Sequence, residues 1–168
     1  MGLKVAPRQL DRAVNMVEVM RNRHSVALFG ADGVGKRTIV DSTILALEKT
    51  GNPVTKHDID ATDCNVERLL GVDGPIVIAL QSCNNSDASN WIVIKNDGEC
   101  GKFMDRLNSL TDDNKKLELE DETVIPLPSN THILFLLKDA WPLSPATVSR
   151  LGKIWINEED ADFKLIHN

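Results

Sequence analysis

The chain lacks any C-x-x-C pair: its three cysteines, Cys64, Cys83 and Cys100, are odd in number and widely spaced. That pattern argues against a disulfide frame or a zinc site and predicts buried free thiols in a reducing compartment. No apolar run approaches the roughly 20 residues that span a bilayer, and the opening Met1-Gly-Leu-Lys-Val-Ala6 has no signal-peptide core. Ala6 also breaks the myristoylation pattern. Membrane attachment is therefore not expected. Positive charge is short as well. With 19 Lys and Arg against 25 Asp and Glu the net charge is -6, which gives no general attraction to nucleic acid or anionic lipid, so a basic site has to be a local pocket. A nucleotide suits such a pocket better than a polynucleotide does. The four histidines, His24, His57, His132 and His167, show no metal-ligand spacing and read as structural or exposed.

What remains is an ordinary globular composition, 42% hydrophobic over 168 residues, enough for one domain that buries roughly 70% of the surface of its unfolded chain. Leu10, Ala13, Val14, Val17 and Met20 recur at helical spacing and predict a helix over 8–23, closed by the basic group Arg21-Asn-Arg-His24. The apolar run Ser25-Val-Ala-Leu-Phe29 predicts a buried strand. Val40, Ile44 and Leu47 mark the next helix, which stops near Thr50-Gly-Asn-Pro53, and residues 54–59 predict a short strand. Trp91-Ile-Val-Ile94 and His132-Ile-Leu-Phe-Leu-Leu137 are the other strong strand patterns, with Lys153-Ile-Trp-Ile156 the last. Phe103, Leu107 and Leu110 lie at helical spacing, and residues 117–125 around the acidic turn Glu120-Asp-Glu122 predict an exposed hairpin. About five core strands alternating with helices give a three-layer α/β sheet with helices on both faces.

The chemistry concentrates in Gly30-Ala-Asp-Gly33-Val34-Gly35-Lys36-Arg37-Thr38, which sits between the first strand and the next helix. G-x-x-x-x-G-K spacing lets successive backbone N–H groups curl round phosphate oxygens at a helix N-terminus, with the lysine reaching the outer phosphates. ATP or ADP is the ligand this implies. Magnesium is poorly provided for. The position after Lys36 should carry a Ser or Thr hydroxyl for the metal, yet it is Arg37, and Thr38 points about 100° away round the helix. The second metal-holding group should be an aspartate ending a buried strand; after Ile94 stands Lys95, and Asp97 is a weak candidate two residues further on. Arg37 can instead offer its charge directly to phosphate, or fill the hollow as an internal counter-charge in a scaffold that has lost nucleotide. Glu99, the nearest possible general base, reads more simply as a helix-start acid. A working ATPase or phosphotransferase remains the enzymatic alternative.

Leu143-Ser-Pro-Ala-Thr-Val-Ser-Arg150-Leu-Gly152 reads as a short helix opened by Pro145, closed by Gly152 and presenting an arginine. Taken with Leu107-Asn-Ser-Leu-Thr-Asp112-Asp-Asn-Lys115-Lys-Leu and with Arg23-His24, it resembles the dynein heavy chains, most closely the second AAA+ module of their motor ring. The resemblance implies an AAA+ large α/β subdomain over residues 1–157, a small hairpin insertion, no helical lid, and a fraying acidic tail over 158–168. It implies nucleotide binding through residues 30–38 without useful hydrolysis, and a role for Arg150 as an arginine finger toward the preceding module. It also implies partnership with adjacent modules, other dynein chains and microtubules, in the cytoplasm and cytoskeleton and in the axoneme of cilia or flagella. The chain departs from the family pattern at Arg37, at Lys95-Asn96 where Asp-Gly is usual, and at Leu151 where Cys is customary.

Overall fold

The computed structural model describes residues 7–96 and 101–157. Its elements follow in the order α1 (Pro7–Asn22), β1 (Ser25–Phe29), α2 (Lys36–Lys49), β2 (Val54–Asp60), α3 (Val66–Leu70), α4 (Pro75–Asn84) and β3 (Ser89–Asn96). There follow α5 (Gly101–Asp105), α6 (Asn108–Thr111), β4 (Lys116–Glu118), β5 (Val124–Pro126), β6 (Thr131–Leu137), α7 (Pro145–Arg150) and β7 (Gly152–Trp155). Five strands form one parallel sheet in the order β2-β3-β6-β1-β7, and β4 and β5 pair as a separate antiparallel hairpin. This is the expected α/β architecture, of the P-loop NTPase type, and among the described residues no helix is long and apolar enough to cross a membrane.

Alternation along the central strands sorts their side chains into two cores, because successive residues point to opposite faces. Ala27, Phe29, Ile92, Ile94, Ile133 and Phe135 face one layer with α4 and the hairpin. Val26, Leu28, Trp91, Val93, Leu134 and Leu136 face the other, under α1 and α2. β1 is buried at all five positions, as a strand covered on both sides should be. Its neighbours are β6 and β7, so the chain leaves β1 toward one edge of the sheet and returns to the other side of it at β7. Such a reversal opens a crevice beyond the carboxyl ends of the strands.

Three expectations need correction. Helix α1 buries Ala13, Met16 and Met20, while Leu10 and Val14 stand more than half exposed, so the inward stripe is rotated from the one the spacing suggested. Helices α3 and α4 have no counterpart in the sequence reading. Pro75-Ile-Val-Ile-Ala-Leu80 is apolar nearly all round because α4 is pressed on a sheet face, with Ile76, Val77, Ala79 and Leu80 buried, so it carries no helical period to detect. Finally, Cys64 is disulfide-bonded rather than a buried free thiol, whereas Cys83 is free and buried. Spacing in sequence does not limit which cysteines a fold brings together. Cys100, His167, Asp97, Glu99 and the acidic tail lie outside the described residues. The turn of the hairpin is where expected, with Thr123 N donating to Asp121 Oδ1 at 3.0 Å.

Candidate functional site

The glycine loop runs from the end of β1 to the start of α2, at the carboxyl edge of the sheet. Gly33 and Gly35 adopt φ of +79° and +95°, a region that L side chains rarely enter. Those two reversals let the chain turn from strand into helix within a few residues and set the N-terminus of α2 at the crevice. Lys36, buried although charged, donates from Nζ to Gly30 O at 2.5 Å and Leu137 O at 3.1 Å. Its ammonium therefore sits between the carboxyl ends of β1 and β6, beside the loop, where a phosphate would meet it. Asp32, Gly33, Gly35, Lys36, Arg37 and Thr38 line a cleft of about 490 Å³ there, with Lys95 and Leu136 on its other wall. Gly30 and Val34 lie on the structural side of the loop; the Val34 side chain is buried in the core beneath α1 and α2.

Arg37 is engaged outside the loop. Its Nη1 donates to Asp58 Oδ1 at 3.0 Å, while Asp58 Oδ2 accepts from Lys56 at 3.1 Å and Lys56 reaches Asp41 at 2.7 Å. The bond to Asp41 holds the Lys56 ammonium above its ordinary pKa. The sequence reading missed this chain of alternating charge. Lys56 and Asp58 stand two apart on β2 and so share a face, which was the available signal.

Arg150 lies at the opposite edge. It ends α7, one residue before β7, and Gly152 of β7 pairs with Val26 at the start of β1. The four residue steps from Val26 to Gly30 separate that edge from the glycine loop by roughly 13 Å. Arg150 Nη1 donates to Ala146 O at 2.6 Å and its Nε stands 3.7 Å from Asp112 Oδ2. Helix α7 is fixed by its cap: Ser144 Oγ accepts from Thr147 N at 3.2 Å and donates to Asp105 Oδ1 at 2.9 Å. The buried Thr147 hydroxyl lies 3.0 Å from Asn108 Oδ1. Arg23 reaches Ser149 O at 3.4 Å. The three segments that carry the family resemblance thus meet round one cleft of about 320 Å³, lined by Arg23, His24, Asp112, Asp113, Ser149 and Arg150.

His24 and His132 brace this end from inside. Their Nε2 atoms donate to Leu110 O and Met20 O, each at 3.0 Å. Burial pushes both below the ordinary histidine pKa of 6.5, with Lys115 lowering them further and Asp113 opposing this at His24. A base with a lowered folded pKa binds its proton more readily in the unfolded chain. The contribution is therefore complete above about 6.5 and is lost as pH falls through the folded values. Unfolding midpoints in urea should drop between pH about 7.5 and about 5.5, and His132→Gln should flatten that fall. A profile unchanged by the substitution would exclude the histidine as its source. Asp60, Asp63 and Asp121 are lowered by hydrogen bonds from Thr62, Arg68 and Thr123. Their window begins below 3.8, so it is separate. The tryptophans divide: Trp91 is core, whereas Trp155 is 49% exposed and stacks on Phe29 at 4.5 Å.

No protein-family model matches the chain. It is 33% identical across 95% of its length to cytoplasmic dynein 2 heavy chain 1 of Caenorhabditis elegans. It is 29% identical across 95% to the mouse protein of that name. It is 28% identical across 93% to the dynein-1-alpha heavy chain of the flagellar inner arm I1 complex of Chlamydomonas reinhardtii. The chain spans about 4% of the length of each.

Proposed function

Because the chain belongs to the dynein heavy chain family, we propose that it is a nucleotide-binding AAA+ module of such a motor, most like the second module of the ring. It holds ATP or ADP through residues 30–38 and hydrolyses it little or not at all. One observation carries the binding half of this reading: the loop has both glycine reversals and a buried lysine aimed at the crevice between β1 and β6. The absence of a hydroxyl at Arg37 supports the lack of turnover, since metal-assisted hydrolysis needs a ligand there.

Arg150 serves a different nucleotide. At the far edge of the sheet it is out of reach of a phosphate on its own loop, and its α7 is anchored so that the guanidinium lies at an open cleft. A trans arginine that neutralises charge on the phosphates of the preceding module fits that position. Adjacent modules of the same heavy chain are then the immediate partners, and other dynein chains and microtubules are reached through the whole motor. Its place is the cytoskeleton of the cytoplasm, cilium or flagellum, in line with the names of the relatives.

Adding ATP or ADP to the purified chain should raise its melting temperature, because a ligand at 100 times its dissociation constant adds about 2.7 kcal/mol. Lys36→Met should remove that shift. Comparing each variant with and without nucleotide cancels any effect of the substitution on the empty protein. A shift that survives in Lys36→Met would refute the assigned site, and sustained phosphate release by the unaltered chain would favour a working ATPase.

A further inference from the structure

Magnesium ordinarily accompanies a nucleotide on such a loop, and the residues of this cleft do not fit it. The ion usually rests on a Ser or Thr hydroxyl after the loop lysine and on an aspartate at a strand end. Arg37 occupies the first place, and a guanidinium has five donors and no acceptor. Lys95 occupies the second, near the end of β3 in register with Leu136 of β6 and Asp60 of β2. It lines the same cleft as Gly33, Lys36 and Arg37. Among the described residues that line the cleft, Asp32 is the one carboxylate, and Lys138 stands 3.5 Å from it. Three cationic residues round one hollow repel a divalent ion and attract an unchelated polyphosphate.

We infer that the cleft takes a nucleoside di- or triphosphate without magnesium, Arg37 leaving Asp58 for a phosphate oxygen. This rests on the nucleotide-binding reading above and specifies the ionic form of the ligand. The exchange is easy for two reasons. The Arg37 and Asp58 side chains are 48% and 42% exposed, so water screens their attraction. Asp58 is also not stranded when Arg37 departs, because Lys56 remains 3.1 Å from its other oxygen and stays bound to Asp41. A guanidinium that moves from a single carboxylate oxygen to a phosphate keeps a charge-assisted bond and gains a partner of greater charge.

Calorimetric titration of ATP and ADP into the full chain, once in EDTA and once in excess magnesium, tests this. The dissociation constant in EDTA should be equal to, or tighter than, that in magnesium. Asp58→Asn should tighten binding in EDTA by about two- to fivefold, the scale of one released surface pair. Combining Arg37→Ser with Lys95→Asp should create a metal requirement, with EDTA weakening binding at least about tenfold. Binding of the unaltered chain that vanishes in EDTA would overturn the inference and leave the nucleotide reading standing. No binding under either condition would remove both. Unchanged or weaker binding by Asp58→Asn would overturn the exchange.

Discussion

Arg150→Ala, introduced into a heavy chain that carries this segment, is expected to slow ATP hydrolysis at the preceding module by about 10³-fold, the lower end of what a trans arginine contributes to phosphoryl transfer. Folding of the segment should be untouched. Among the described residues the arginine has a bond to Ala146 O and a 3.7 Å approach to Asp112, with the two side chains 31% and 23% exposed, and so long and partly solvated an ion pair stabilises by about 1 kcal/mol. The effect should fall on turnover rather than on nucleotide affinity, because the charge it neutralises develops in the transition state. Single-turnover measurements separate the two. Asp112→Asn serves as a companion, since it loosens the arginine without removing it and should give an intermediate loss. Unchanged hydrolysis with Arg150→Ala would leave the residue as a helix-end side chain and nothing more.

The second large effect is on stability. Phe135 is fully buried in β6, the middle strand of the sheet, with Ala27 of β1 and Ile94 of β3 beside it in register. Phe135→Ala removes the ring and leaves a cavity that a sheet clamped between two helical layers cannot close, a loss of about 3–5 kcal/mol. In a chain of this length that corresponds to a fall in melting temperature on the order of 10 °C. Urea unfolding should show a lower midpoint at the same slope. A loss below about 1 kcal/mol would contradict the burial described here, since only surface positions behave so mildly.

Much of this was legible in the chain itself, for reasons that can be named. β1, β3 and β6 are short runs of branched and aromatic residues bounded by polar turns, and a strand buried on both faces has no other signature. The glycine loop was legible because its turn from strand to helix needs positive φ at Gly33 and Gly35, and such a backbone constraint appears as glycine at fixed offsets. Helix α4 was not, since it is nearly apolar all round and periodicity has nothing to grip. The rotation of α1 was missed because Leu10 and Val14 are apolar but exposed, and such residues are common on surfaces. Arg37 was recognised as misplaced for a metal, but its partner was not foreseen. Asp58 is 21 residues away and meets it only because β2 runs beside α2. Likewise Arg23, Asp112 and Arg150 were grouped by resemblance, while the cleft they share arises from the crossover that sets α7 at the start of β7.

The arrangement of the sheet has a consequence for assembly. The glycine loop lies beyond the last residue of β1 and the half-buried Arg150 near its first, so the segment has a head and a tail held apart by a strand of backbone. An arginine of one unit set against the glycine loop of the next, as proposed above, would be a heterologous contact, and repetition of such a contact either closes a circle or runs on as a filament. If the arginine meets a neighbour's nucleotide as proposed, the same polarity gives any circuit of such units a sense of rotation, with the arginine facing one side and the glycine loop the other.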